Sequence, residues 1–112
     1  NILDVNEENV VSENTIKLLG NDIHFDKLKL KKTKHFVGIR PEHLKVNQNT
    51  QFTFNPKIEL IENLGNEKIA YMKKDEHQLS AKIPSNVEIN NSIGFDLDDI
   101  FIFDHEGQRI KL

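Results

Sequence analysis

Three groups of residues have the types and spacing to do chemistry: the acids Asp96, Asp98 and Asp99, the histidines His24, His35, His43, His77 and His105, and Arg40 with Glu42 across Pro41. The three acids suggest calcium. A calcium loop, however, needs further oxygen donors and a glycine at its sixth position, and here Ile100-Phe101-Ile102 follows. The acids are therefore read as a turn between two strands. The histidines form no H-E-x-x-H and no other spacing that would assemble a metal site, so they are expected as scattered surface residues. No G-x-x-x-x-G-K-[ST], G-x-G-x-x-G or G-x-S-x-G is present, and cysteine is absent. These residues offer neither a phosphate cradle nor an activated nucleophile, and the chain is not expected to be an enzyme by itself.

Arg40 closes a short apolar run. At a strand end it could make a charge-assisted contact across a subunit interface. It could also fork onto carboxylates or carbonyls of its own domain, and the latter is expected because a proline-fixed turn needs local satisfaction first. Phe52 with Phe54, and Phe101 with Phe103, are same-face aromatic pairs of the kind single-strand binders use as stacking platforms. With 15 Lys and Arg against 18 Asp and Glu, the net charge of −3 argues against nucleic acid, and core packing is the expected role of these rings. The single basic cluster, Lys27 to Lys34, reads as a solvated loop face.

The elements that must position these residues are strands. Phe36-Val37-Gly38-Ile39 alternates and must end at Arg40, because the residue before proline is steered out of the α region. Pro41 pre-sets a tight turn or one helical turn, and Leu44 returns to the core. Val10–Ser12 and Thr15–Leu18 flank a two-residue turn, Glu13-Asn14, in which Asn is expected to supply positive φ. Leu19 to Asp22 is a turn, Ile23 and Phe25 alternate, and Leu28 with Leu30 forms an edge strand or loop. After the turn at Asn47–Thr50, residues Phe52, Phe54, Ile58 and Leu60 mark one face of a long strand bent at Pro56. The run Leu60-Ile61 breaks its alternation and predicts a bulge.

Gly65-Asn66 is the strongest hairpin signal. Ile69–Met72, apolar on both faces, is predicted to be central, and Leu79, Ala81 and Ile83 give a strand with one wet face. Ile93, Phe95 and Leu97 line another strand, Ile100–Phe103 a short one, and Asp104–Gly107 turns into a last strand from Gln108 to Leu112. Short strands about ten residues apart, without helical periodicity, predict one all-β domain over residues 1–112, a barrel or sandwich. No apolar run approaches the roughly 18 residues needed to span a bilayer as a helix. A chain that opens on Asn and carries its one methionine at Met72 is expected either to have lost an initiating segment or to be an excised piece of a longer protein.

Three motifs, in order, resemble one family. Gly38-Ile39-Arg40-Pro41-Glu42-His43-Leu44 is similar to a signature in the C-terminal domain of the ATP-binding subunits of bacterial sugar importers, the maltose and multiple-sugar type of ABC transporter. Ile61-Glu62-Asn63-Leu64-Gly65-Asn66-Glu67 is similar to that family's Glu-x-Leu-Gly-x-Glu turn, and Phe103 to Ile110 to its closing Phe-Asp-x-x-Gly hairpin. Asn1-Ile2-Leu3 resembles the Met-Asn-Phe-Leu that follows its nucleotide-binding domain.

The resemblance implies a small OB-like barrel of the transport-associated (TOBE) type, built of short antiparallel strands with bulges. It further implies a regulatory, dimer-contact role in which Gly38, Arg40, Pro41, Glu42, Glu62, Gly65, Asp104 and Gly107 are the signature and interface candidates. No cofactor is expected in these residues; ATP and magnesium belong to an ATPase domain outside them. The implied partners are the same domain of a second ATPase subunit, the membrane permease subunits through the parent protein and a cytosolic regulator, with no nucleic acid. The implied location is cytoplasmic, peripheral to the inner face of the cell membrane. The alternative is a barrel that itself binds a small oxyanion or saccharide.

Overall fold

The computed structural model describes residues 1–46 and 48–111. Asn47 and Leu112, read above as part of a turn and of the last strand, lie outside the described residues. The strands run in order β1 (Ile2–Val5), β2 (Val10–Ser12), β3 (Thr15–Leu18), β4 (Asn21–His24), β5 (His35–Ile39), β6 (Lys45–Val46), β7 (Phe52–Phe54), β8 (Lys57–Asn63), β9 (Glu67–Lys74), β10 (His77–Pro84), β11 (Ile93–Phe95), β12 (Ile100–Phe103) and β13 (Arg109–Ile110). Single 3₁₀ turns at Glu7–Asn9, Pro41–His43 and Leu97–Asp99 are the helical elements among the described residues. The fold is all-β, made of short antiparallel strands, as the spacing of apolar runs predicts. Among the described residues, no helix is long and apolar enough to cross a membrane.

The chain forms two compact units. One comprises Ile2–Gly38 and the residues from Ile100 onward; the other comprises Asn1 and Ile39–Asp99. In the first unit a four-stranded sheet has the order β1-β5-β12-β13 and a three-stranded one the order β2-β3-β4. Alternation along each strand sends one set of side chains inward: Leu3 and Val5, Ile16 and Leu18, Ile23, Val37, and Ile100 with Ile102 are buried. Leu28 and Leu30 are buried as well, but on a loop, where the Leu30 N–H donates to the Glu13 carbonyl.

The second unit has two three-stranded sheets, β10-β9-β8 and β6-β11-β7. Its core holds Ile39, Leu44, Phe54, Ala70, Met72, Leu79, Ala81, Ile83, Ile93 and Phe95. Phe95 packs between Phe52 and Phe54, with ring centroids 5.3 and 6.1 Å away, so this aromatic pair serves packing. As expected, β5 stops at Arg40, Pro41 opens one 3₁₀ turn, and Leu44 is buried behind it.

Several local expectations are corrected. The Glu13-Asn14 turn uses no positive φ at Asn14. The register instead shifts between Val10/Ile16 and Ser12/Thr15, and Asn14 Oδ1 accepts the hydroxyls of Ser12 and Thr15, a side-chain solution to the turn. Positive φ falls on Leu19 (52°) and Asp75 (54°) among non-glycine residues. Residues 52–60 form two strands in different sheets, with the buried Pro56 between them and outside both ladders. The bulge in β8 lies at Glu59, since Ile58 pairs with Met72 and Leu60 with Tyr71. Leu97 leaves its strand for a 3₁₀ turn, and His35, 3% exposed, is no surface histidine: its ring Nδ1 lies 2.9 Å from the Thr33 carbonyl.

Gly65 forms the β8–β9 turn at φ +93°, next to the Leu64 N–H that donates to the Glu67 carbonyl. Nothing lies within 4 Å of where its side chain would project, so backbone strain alone sets its cost of substitution. Gly65→Val is expected to lose about 1–3 kcal/mol in urea denaturation; an unchanged midpoint would show that the turn relaxes freely.

Candidate interaction surface

The β8–β9 hairpin is where the second unit presents apolar surface. β9 is central in its sheet, as predicted, but only one of its faces is covered: Ala70 and Met72 are buried, whereas Tyr71 is 38% exposed. β8 is a seven-residue edge strand with burial at none of its positions. The Glu59 bulge sets what it shows. Ahead of the bulge, Ile58 shares the inner face with Met72; beyond it, Leu60 joins Tyr71 on the outer face and Ile61 sits opposite Ala70. Leu60 (60% exposed), Ile61 (45%) and Leu64 (55%) are open to solvent along the edge strand of this sheet.

Polar groups frame this surface. The Tyr71 hydroxyl donates to Glu62 Oε1 at 3.3 Å, and the Glu62 charge is the main reason its pKa is raised. Glu67 pairs with Lys82 at 3.4 Å. An apolar strip along a strand edge, rimmed by charge, can accept another strand through its backbone and another apolar face through its side chains.

Behind the hairpin, the unit is fastened by two arrangements that residue types alone do not reveal. Asn1 Nδ2 donates to the carbonyls of Ile39 and Ser80, both at 2.9 Å, and the Ser80 N–H donates to Asn1 Oδ1 at 2.8 Å. The Lys45 ammonium donates to Asp96 Oδ2 at 3.4 Å and Asp99 Oδ2 at 3.3 Å. Asp96 Oδ1 also accepts the Gln51 N–H, and His43 Nδ1 stands 3.7 Å from Asp99 Oδ1. The three acids thus form a turn, as expected, but two of them clamp a lysine more than fifty residues away, a partner no local spacing could signal. Among the described residues, no group of three or more His, Asp or Glu side chains could hold a metal ion.

The sequence candidates separate. Gly38, Asp104 and Gly107 lie in the first unit, where Asp104 Oδ1 accepts the N–H groups of Glu106 and Gln108 and fixes the closing turn. Arg40, Pro41, Glu42, Glu62 and Gly65 lie in the second. There Arg40 and Pro41 shape the 3₁₀ turn, the Arg40 carbonyl accepting the His43 N–H, while Glu42 is exposed. Glu62 and Gly65 belong to the exposed hairpin. A recess of about 260 Å³ lined by Lys45, Gln48, Asn49, Thr53, Asn90, Ser92 and Gly94 also opens on this unit. Its amides and hydroxyls are mostly exposed, and among the described residues no unpartnered buried polar side-chain atom lines it.

Compared with models of protein families and with curated proteins, the chain matches no family model and no curated protein.

Proposed function

We propose that this chain is the regulatory, dimer-contact domain of the ATP-binding subunit of an ABC transporter that imports sugars or related solutes. The observation that carries the reading is the β8–β9 hairpin: the residues resembling the family's Glu-x-Leu-Gly-x-Glu turn, Glu62 to Glu67, stand on the element that exposes Leu60, Ile61, Leu64 and a strand edge. The Gly-Ile-Arg-Pro-Glu-His-Leu and Phe-Asp-x-x-Gly likenesses support it from the rest of the chain. In this reading the domain does no chemistry. ATP and magnesium are handled by the parent's nucleotide-binding domain at the inner face of the membrane, and this domain biases opening and closing of the ATPase pair through protein contacts. A shift of that kind needs only a few kcal/mol of differential interaction.

A single edge strand and four apolar side chains cover less than a stable interface requires, so the isolated chain is expected to self-associate weakly. Light scattering at high protein concentration should show a monomer–dimer equilibrium that Leu60→Asp with Leu64→Asp abolishes while leaving the melting curve in place. Association untouched by these changes would move the contact elsewhere. The parent gene decides the transporter reading itself: an in-frame phosphate-binding loop upstream of Asn1 is expected, and a gene without one would overturn it.

A further inference from the structure

The first unit carries a second exposed apolar feature, made from residues with no role in the hairpin. Ile2 and Asp4 on β1, Phe36 and Gly38 on β5, and Phe101 and Phe103 on β12 alternate with the buried Leu3, Val5, Val37, Ile100 and Ile102, so they share the outer face of one sheet. Gly38 is the floor. A side chain there would come within 3.2 Å of Phe103 and 3.5 Å of Ile2, and its absence leaves a groove of about 350 Å³ lined by Ile2, Phe36, Phe103 and Gly107. Ile2 is 65% exposed, and the three rings are only half-buried.

Two cations lie against rings of this outer face. Lys34 Nζ lies 5.2 Å from the Phe36 ring centroid, and the Arg109 guanidinium lies 4.6 Å from that of Phe101. Lys34 is paired with Asp4 at 3.3 Å, but both side chains are about half exposed, and such a pair yields readily to a competing carboxylate. Lys34 also ends the run that begins at Lys27, and this unit holds eight Lys and Arg against eight Asp and Glu. The net charge of −3 therefore resides wholly in the other unit.

We infer that this groove binds an acidic peptide segment of a partner protein, which seats one apolar side chain between Ile2, Phe36 and Phe103 and places carboxylates on Lys34 and Arg109. The volume and apolar lining suit a Leu, Ile or Phe side chain. Stacked nucleic-acid bases fit less well, because cations already lie against the Phe36 and Phe101 rings on which bases would stack. The inference does not depend on the transporter reading and uses none of the hairpin residues.

The test is selection from a phage-displayed library of random dodecapeptides on the full chain, followed by fluorescence polarisation with the recovered peptides. The expected consensus is one apolar residue flanked by Asp and Glu. Ile2→Asp and Arg109→Glu, both surface changes, should each weaken binding about tenfold or more without moving the melting curve. A peptide with Lys in place of one acid should regain affinity for Arg109→Glu. A basic or patternless consensus, or binding indifferent to both variants, would overturn the inference. So would an oligothymidine that binds this face in preference to the peptides and is weakened by the same changes.

Discussion

Gly94→Val will destabilise the protein by about 2–4 kcal/mol. Gly94 is buried in β11, the middle strand of the β6-β11-β7 sheet, and its φ is not in the left-handed region, so strain in the backbone is not the cause. Space is. A Cβ at this position would overlap Thr50 Oγ1 and stand 2.9 Å from Thr50 Cβ. Thr50 cannot swing aside cheaply, since its hydroxyl donates to the Phe52 carbonyl at 2.9 Å, and losing that bond adds to the overpacking. Thr50→Gly should then rescue Gly94→Ala by more than the two changes sum separately, giving a coupling of about 1 kcal/mol or more in a double-mutant cycle. Urea denaturation of the four proteins measures it. Additive effects would show that some other neighbour resists the methyl group.

Lys45→Met is expected to cost about 2 kcal/mol and to change how stability depends on pH. Without the ammonium, the Asp96 and Asp99 carboxylates face one another around an uncharged side chain; Asp99 is the less accessible, at 15%. In the intact protein the Gln51 N–H is the chief cause that holds the Asp96 carboxyl below its ordinary 3.8, with burial opposing and Lys45 assisting. Burial pulls the Lys45 pKa down, but its bonds and charge contacts with Asp99 and Asp96 more than offset this and leave it above its ordinary 10.5. A lowered carboxyl contributes stability that is full above 3.8 and lost as pH falls through the folded value; a raised ammonium contributes stability that is full below 10.5 and lost as pH rises through the folded value. The gap between wild type and Lys45→Met should therefore be widest between these limits and narrow at either extreme. A gap independent of pH would mean that the methionine acts through packing alone.

Turn chemistry and alternation carry most of the strand map. Gly65-Asn66 marks its hairpin, Pro41 ends β5, and Leu79, Ala81 and Ile83 form the buried row of β10, because each depends on φ preferences or on the two-residue period of a strand. The same local signals mislead where burial depends on a partner. Ile69–Met72 reads as apolar on both faces, yet one face of β9 is open. Phe101 and Phe103 read as core, but they stand on the outer face of their sheet while Phe54 is buried. His35 reads as a surface residue and is enclosed.

Sequence alone thus determined the class of fold, the stop of β5 before Pro41 and the glycine turn at Gly65, since those follow from the conformational freedom of a few neighbouring residues. Tertiary structure decided which apolar side chains are covered, that the Glu59 bulge turns Leu60 outward, and that Lys45 meets Asp96 and Asp99. Burial and charge pairing are properties of surfaces brought together from distant parts of the chain, and the two-residue period of a strand names its faces without saying which one is packed.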